Sequence, residues 1–194
     1  MLPSVILALL AIGSPTLVFM KIRAQRQALG KSPVILGTAP GWQGWFERVA
    51  PFALFVWPIV WLRAAHSPQS LATGLRLAVG LTLMLAGGLL SAASVVLMGR
   101  AWRIGIDPDN RTELADRGPY RWMRHPIYAG WLVTLLGTVL VIPGPTIEVA
   151  AGVTALGAII QALREERHLL ATFGERYAVY AARTGRFAPR LRAR

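Results

Sequence analysis

Apolar runs separated by basic, glycine-rich and proline-rich stretches form the main pattern along this chain. Five such runs cover residues 2–20, 49–65, 77–98, 127–142 and 147–163. A helix that crosses a bilayer core needs about 20 mainly apolar residues. The pattern therefore predicts an all-α fold, in which residues 1–194 form one integral membrane domain with about five transmembrane helices and a cytoplasmic C-terminal helical segment.

The first run ends at a cluster of cations. We expect a kink at Pro15, and Lys21, Arg23 and Arg26 are predicted to stop the helix. No basic region precedes the run and no small-residue cleavage site follows it, so it is predicted to be a retained helix and not a signal peptide.

The second run is short and irregular. Pro51 and Pro58 interrupt it, and two interpretations stay open. It forms either a tilted or re-entrant helix, or a full span that snorkelling of the Arg63 side chain lengthens to Ala65.

Two features predict how the later helices pair. The third run contains Gly87-x-x-x-Ser91 and Gly88-x-x-x-Ala92, small-residue pairs that let another helix approach closely. The fourth and fifth runs are joined only by Pro143-Gly144-Pro145, which is short enough to require a tight hairpin. The hairpin would return residues from Arg164 onward to the membrane face that carries His125.

Composition excludes a soluble domain and several kinds of site. Hydrophobic residues make up 54% of the chain, and the mean hydropathy is +0.47. The chain has no cysteine, so it has neither disulfides nor thiolate metal ligands, and we predict no metal site. The net charge is +12, but the cations lie in blocks between apolar runs, which favours anionic membrane lipids over nucleic acid as partners.

The placement of these cations predicts the orientation. If the N-terminus lies outside, five spans place 19 of the 21 lysines and arginines on the cytoplasmic side. Only Arg63 and Arg76 then lie outside. The positive-inside rule therefore predicts an external N-terminus and a cytoplasmic C-terminus.

Cations and aromatic rings are concentrated in residues 118–130, just before the fourth run. Pro119 and Pro126 are expected to hold the chain between them open. The arginines suit anionic groups, His125 titrates near neutral pH, and the rings can stack on a cation or an adenine. A juxtamembrane anchor is the alternative interpretation, because such residues also collect at membrane edges.

Helical spacing separates two neighbouring glutamates near the end of the fifth run. With about 100° per residue, Glu166 falls in the middle of an apolar stripe and Glu165 at its edge. A carboxylate on a packing face is costly without a partner, so Glu166 is predicted to meet Arg124 or a bound ligand. A purely architectural salt bridge is the alternative. Phe173, Tyr177 and Tyr180 would continue the stripe along a terminal amphipathic helix.

The segment Arg124-His125-Pro126-Ile127-Tyr128-Ala129-Gly130 resembles the Arg-His-Pro-x-Tyr-x-Gly signature of the isoprenylcysteine carboxyl methyltransferases and their bacterial relatives among the phospholipid methyltransferases. The C-terminal part is also similar to that family, with Glu165-Glu166, then Phe173-Gly174-x-x-Tyr177-x-x-Tyr180, then residues 183–189. The resemblance covers residue 118 to the C-terminus. It implies methyl transfer from S-adenosylmethionine to a lipidic, membrane-embedded acceptor, with O-methylation of a carboxylate favoured, in a bacterial or archaeal inner membrane.

The resemblance also implies site residues, within a cofactor region formed by residues 100–128 and 164–194. Arg124 and Glu166 would be catalytic, and the cofactor-binding residues would be Tyr120, His125, Pro126, Tyr128, Gly130, Glu165, Tyr177, Tyr180 and Arg183. A methyl donor with a sulfonium needs alignment and exclusion of water more than acid or base catalysis. An amine acceptor would also have to lose a proton, for which Glu166 or His125 is the candidate base.

Two other classes of protein remain as alternatives. Membrane sterol and steroid reductases carry a similar Arg-His-Pro-x-Tyr element with NADPH as cofactor, but Gly130 and Trp131 are more typical of the methyltransferases. A non-catalytic lipid-binding protein would need only the small-residue helix faces. Binding of NADPH or of an adenosylmethionine analogue discriminates between these classes.

Overall fold

The computed structural model describes residues 2–30, 32–34, 53–67, 71–99, 102 and 114–190. Six α-helices lie in this part of the chain, and Met123 pairs with Gly185 in an isolated β-bridge. The helices are α1 (Leu2–Leu29), α2 (Ala53–Ala65), α3 (Gly74–Leu97), α4 (Pro126–Val141), α5 (Pro145–Phe173) and α6 (Glu175–Arg183). The described residues thus confirm the all-α class.

Three of these helices are long and apolar enough to cross a membrane, namely α1, α3 and α5. The other two apolar helices are shorter, with 13 residues in α2 and 16 in α4. The predicted number of five spans therefore stays a prediction. Three parts of the predicted pattern lie outside the described residues. They are the start of the second apolar run, residues 103–113 of the loop before the signature, and the last two arginines.

Two helices extend beyond the predicted ends of their apolar runs. Helix α1 passes Lys21 and continues to Leu29, and α5 continues from residue 163 to Phe173. Lysine and arginine are good helix formers, so charge limits the membrane-embedded part of a helix without ending the helix itself. In this extension Gln25 is buried and donates hydrogen bonds to the carbonyl oxygens of Gly99 (2.7 Å) and Trp102 (3.2 Å).

Helices α3 and α4 touch backbone to backbone. A Cβ atom added at Gly130 would lie 2.5 Å from the Gly87 carbonyl oxygen, and one at Gly137 would lie 2.5 Å from that of Gly80. Ser91 Oγ adds a hydrogen bond of 3.0 Å to the Ile127 carbonyl oxygen. The predicted close approach at Gly87 and Ser91 is confirmed, and its partner is the helix that follows the signature.

Helix α2 is joined to the following helices by two indole hydrogen bonds. Trp61 Nε1 donates to Thr138 Oγ1 on α4 (3.1 Å), and Trp57 Nε1 donates to Thr154 Oγ1 on α5 (3.2 Å). Both tryptophans lie in the apolar core with Met84. Buried indole N–H groups need hydrogen-bond partners, and these two bonds supply them while they connect α2 to α4 and α5.

The hairpin between α4 and α5 has the predicted arrangement. Residues 142–144 connect the helices, and Pro145 occupies the first helical turn of α5, where its missing N–H costs nothing. Tyr128 at the start of α4 reaches Glu165 near the end of α5. The helices are therefore antiparallel.

The terminal stripe is interrupted where a continuous helix was predicted. Helix α5 ends at Phe173, Gly174 has a φ of +53°, and α6 begins at Glu175. Glycine adopts positive φ readily, so it breaks the helix at this point. Tyr177 and Tyr180 consequently lie on a separate nine-residue helix.

Candidate active site

The segment before α4 is not fully open as predicted. Gly118–Arg121 forms one turn of 3₁₀ helix, with Pro119 in its first turn. That position tolerates proline because its N–H would have no helical partner. The chain then extends, and Met123 forms an isolated parallel bridge with Gly185.

Residues 184–190, which we call the C-terminal hook, fold back over this extended segment. Arg124 N donates to the Gly185 carbonyl oxygen (2.8 Å), and His125 N donates to that of Arg186 (3.0 Å). A Cβ atom at Gly185 would collide with the Ala188 carbonyl oxygen, so the hook requires glycine there. The hook therefore brings its side chains to the signature.

Arg124 connects the signature to three parts of the chain. Its Nε donates to Glu166 Oε1 (2.9 Å). Its Nη1 donates to the carbonyl oxygens of Ala181 (2.9 Å) and Thr184 (2.6 Å). The guanidinium thus holds the end of α6 beside α5, and the predicted pairing of Glu166 with Arg124 is confirmed.

Glu166 is also bound by a second guanidinium. Arg186 Nε donates to Glu166 Oε1 (2.9 Å), and its Nη2 donates to Oε2 (2.8 Å). His125 Nε2 lies 3.3 Å from Glu166 Oε1. The Glu166 carboxylate therefore has a cationic partner within the protein, as the architectural alternative requires.

Glu165 lies in a different set of contacts. Its Oε1 accepts hydrogen bonds from Tyr128 (2.6 Å) and from Gln161 Nε2 (3.4 Å), and its Oε2 is 3.7 Å from His125 Nδ1. The side chain of Glu165 is 29% exposed, against 15% for Glu166. By accessible side-chain area Glu165 is the more exposed of the two, and the His125 ring lies between the two carboxylates.

Burial controls the charge of His125. Its side chain is 4% exposed, and this burial lowers its pKa to about 4, despite the opposing effect of Glu166. Arg124 and Arg186 also lower the pKa. His125 is thus neutral at physiological pH, and the positive charge of the cluster comes from its arginines.

Three tyrosines surround the cluster. Tyr120 is buried, and its carbonyl oxygen accepts a hydrogen bond from the Tyr180 hydroxyl (2.8 Å). The rings of Tyr177 and Tyr180 lie 6.0 Å apart. Burial raises the pKa of Tyr180 to about 12 and that of Tyr177 further, so both hydroxyls are protonated donors at neutral pH.

The buried Tyr177 hydroxyl has no hydrogen bond among the described residues, and His125 Nε2 has a 3.3 Å contact with Glu166 Oε1 without hydrogen-bond geometry. Buried polar groups are nearly always hydrogen-bonded, and leaving one unpaired costs about 1–3 kcal/mol. Such atoms beside two carboxylates fit a polar ligand with both charged and uncharged groups. The residues present are therefore suited to the adenosylmethionine cofactor that the resemblance implies.

Three further predicted site residues, Pro126, Gly130 and Arg183, make none of the hydrogen bonds described above for the cluster. Pro126 is fully buried in the first turn of α4. Gly130 lies in the contact with α3, where its lack of a side chain is a packing requirement. Arg183 is exposed in the last turn of α6, and its guanidinium joins none of the cluster's hydrogen bonds in the described part of the chain.

Three residues of the cluster were not among the site residues predicted from the sequence, although two of them lie in the C-terminal segment that resembles the family. The hook contributes Arg186 and Phe187 to the cluster, and the Phe187 ring lies 6.0 Å from that of His125. No helical spacing connects them to the signature. Gln161 precedes Glu165 by four residues on the same helix, so the i, i+4 rule is a signal that finds it.

Comparisons with known proteins support one family. The family model for phospholipid methyltransferases matches residues 75–176. Protein-S-isoprenylcysteine O-methyltransferase B of Arabidopsis thaliana is 31% identical over 107 residues, which is 54% of this chain and 54% of that protein.

Two bacterial proteins show similar partial matches. The cobalt-zinc-cadmium resistance protein CzcN of Cupriavidus metallidurans is 37% identical over 117 residues, covering 56% of this chain and 50% of that protein. Methanethiol S-methyltransferase of Mycobacterium tuberculosis is 37% identical over 71 residues, covering 36% and 28%. The chain spans about half the length of the plant relatives that it matches.

Proposed function

The chain belongs to the phospholipid methyltransferase family, and we propose that it transfers a methyl group from S-adenosylmethionine to a lipidic acceptor in the membrane. The observation that carries this proposal is the cluster of Arg124, Glu166 and His125, which joins the signature to the C-terminal hook. Family membership favours methyl transfer over the reductase and lipid-binding alternatives. The family and the three apolar helices place the chain in a membrane.

We assign the cofactor to the side-chain cluster at the start of α4, on α5 and on α6. The Tyr177 hydroxyl, which has no hydrogen bond among the described residues, and His125 Nε2 would bind its polar groups, and Glu165 and Glu166 would face its positive charges. Tyr120 and Tyr180 would offer ring faces. Tyr128, Pro126, Gly130 and Arg183 complete the proposed cofactor-binding set, in which Gly130 acts by letting α4 lie close to α3.

When bound, S-adenosylmethionine supplies a methyl group whose C–S bond breaks, with the electron pair staying on sulfur, as an acceptor oxygen forms the new C–O bond. The protein's own residues provide position and polarity. Arg124 keeps Glu166 ionised and fixed, since its guanidinium also binds two backbone carbonyls. The buried rings of Tyr120 and Tyr177 keep water out of the cluster.

A carboxylate is the acceptor that the charges favour. Two guanidinium groups meet the Glu166 carboxylate, while Glu165 lies on the other side of the neutral His125 ring. The partly exposed guanidinium of Arg186 can pair with an anionic acceptor, whereas it would repel an amine in its charged form. A carboxylate also needs no general base, because it is already ionised at neutral pH. The plant relative named above carries O-methyltransferase in its name.

We further propose one membrane domain with five spans, an external N-terminus and a cytoplasmic C-terminus, in which α2 and α4 cross the membrane together with α1, α3 and α5. The distribution of 19 of 21 cations supports this orientation. The site would then lie at the cytoplasmic edge, where a lipidic acceptor reaches it from the bilayer. Exposed arginines nearby would bind anionic lipid headgroups.

Calorimetry on the detergent-purified protein tests the proposed function. Titration with S-adenosylhomocysteine should give saturable binding, and titration with NADPH should give none. Tight NADPH binding without a response to S-adenosylhomocysteine would instead support the reductase alternative.

A further inference from the structure

The two arginines that bind Glu166 are held in different ways. Arg124 is 13% exposed in its side chain, and it donates to two backbone carbonyls as well as to Glu166. Arg186 is 41% exposed, and within the described residues its side-chain hydrogen bonds go to Glu166 alone. Arg124 is therefore fixed, whereas Arg186 can leave Glu166 by side-chain rotation.

Departure of Arg186 would leave no buried charge without a partner. Glu166 keeps the hydrogen bond from Arg124, so its carboxylate stays paired. The other carboxylate of the cluster, Glu165, lies across the His125 ring and accepts from Tyr128 and Gln161. Glu166 would lose the two hydrogen bonds from Arg186 but keep the one from Arg124, and Glu165 is bound by other donors, so Arg186 can bind another anion.

Building on the proposed methyl transfer, we propose that Arg186 is the residue that selects an acceptor with a free carboxylate. Its guanidinium exchanges the Glu166 carboxylate for that of the acceptor, and two parallel N–H···O hydrogen bonds hold the acceptor in the orientation for reaction. A guanidinium matches a carboxylate in this bidentate way, as its present pairing with both oxygens of Glu166 illustrates.

The position of Arg186 in the hook supports this role. The carbonyl oxygen of Arg186 accepts a hydrogen bond from the His125 backbone N–H (3.0 Å), so its backbone is anchored while its side chain reaches solvent. An anchored backbone limits the side chain to a small region beside His125 and Glu166. An acceptor bound by Arg186 would therefore lie against the proposed cofactor site.

A binding comparison tests this proposal. The probes are N-acetyl-S-farnesylcysteine and its carboxamide, which differ only in the charged group, and each is titrated into the protein preloaded with S-adenosylhomocysteine. The wild-type protein should bind the acid more tightly by about tenfold or more, since a hydrogen-bonded charge pair is worth about 1.5–3 kcal/mol. Arg186→Gln should bind both probes equally, and Arg186→Lys should keep part of the preference.

Arg176→Gln provides the matched control, because Arg176 is an exposed arginine on α6 and the substitution removes the same charge. It should keep the wild-type preference. Affinity for S-adenosylhomocysteine should be unchanged in Arg186→Gln. The role of Arg186 is overturned if Arg186→Gln still prefers the acid, if it loses cofactor affinity in the same proportion, or if the wild-type protein binds cofactor and shows no preference. Failure of the wild-type protein to bind S-adenosylhomocysteine refutes the proposed function itself.

Discussion

Arg124 Nε donates a 2.9 Å hydrogen bond to Glu166 Oε1 across 42 positions of sequence. The bond joins the start of α4 to the end of α5, which the tight turn between these helices brings together. It also distinguishes Glu166 from its neighbour, because Glu165 is bound by uncharged donors. The two carboxylates should therefore respond differently to removal of their charge.

Glu166→Gln should lower turnover and cofactor affinity severely, and Glu165→Gln should lower them mildly. Loss of a buried charge that leaves its partner unpaired costs about 3–5 kcal/mol, and the lower end applies here because Arg186 is partly solvated. Replacing Glu165 leaves the Tyr128 hydroxyl with an amide oxygen as acceptor. Calorimetry with S-adenosylhomocysteine compares the variants, both checked for folding, and a larger loss in Glu165→Gln contradicts the assignment.

The two tyrosines on α6 are expected to have different roles. The Tyr177 hydroxyl would bind the ligand, and the Tyr180 hydroxyl would stabilise the fold. Tyr177→Phe removes a hydroxyl that has no hydrogen-bond partner in the described part of the chain, so the melting temperature of the ligand-free protein should stay the same or rise while cofactor affinity falls. Tyr180→Phe removes the 2.8 Å bond to the Tyr120 carbonyl oxygen and should lower the melting temperature. Thermal unfolding without S-adenosylhomocysteine measures the change in stability, and the increase in melting temperature on its addition reports the cofactor affinity. Unchanged affinity in Tyr177→Phe refutes the role of this hydroxyl.

Glycine substitutions test whether Gly130 acts through packing. Gly87→Ala and Gly130→Ala should both destabilise the protein strongly, because each added Cβ meets the backbone of the facing helix. Gly152→Ala is the matched control, since nothing lies within 4 Å of its Cβ position and alanine favours the helix. Equal losses of stability at positions 87 and 130 support packing. Loss of cofactor affinity at Gly130 alone, in a stable protein, indicates a direct binding role.

Stability should depend on pH through His125. Burial lowers its pKa to about 4, against about 6.5 in an unfolded chain, so between these values the unfolded state binds one more proton. The contribution of His125 is complete above pH 6.5 and decreases as the pH falls to 4, by up to about 3 kcal/mol. His125→Gln should flatten this part of the melting-temperature profile, and His66→Gln, at an exposed position, should not. Identical profiles for both variants would exclude His125 as the source.

Membrane orientation can be tested by cysteine labelling, since the chain contains no cysteine. Thr146 and Ala182 are exposed and lie at opposite ends of α5 and α6. In intact cells an impermeant maleimide should label Thr146→Cys and leave Ala182→Cys unlabelled until the cells are opened. The reverse pattern would invert the proposed topology, and labelling of both from outside would show that α5 does not cross the membrane.

Hydropathy and spacing predicted the parts of the fold that depend on local sequence. Helices α1, α3, α4 and α5 each overlap a predicted apolar run, and these runs and the turn at Pro143-Gly144-Pro145 follow directly from composition along the chain. Because the turn is short, the meeting of Arg124 with Glu166 was also predictable. These features need no knowledge of distant contacts.

The remainder depends on contacts that no local pattern encodes. The apolar spacing continues past residue 173, so it does not show that Gly174 takes a positive φ and ends α5. Arg186 lies outside any helix and reaches Glu166 only because the hook pairs with the segment before α4. Gly130 lies in the signature, so its contact with Gly87 is not separable from a ligand role by sequence.

The backbone contact between α3 and α4 has a consequence for changes in bilayer thickness. Helix α4 has 16 residues and is about 24 Å long, shorter than a typical hydrocarbon core of about 30 Å. Where side chains separate two helices, the helices can slide by repacking, but glycine against carbonyl offers no side chain to repack. Thinner or thicker lipid should therefore tilt α3 and α4 together as one rigid body, so the signature at the start of α4 keeps its depth relative to α3.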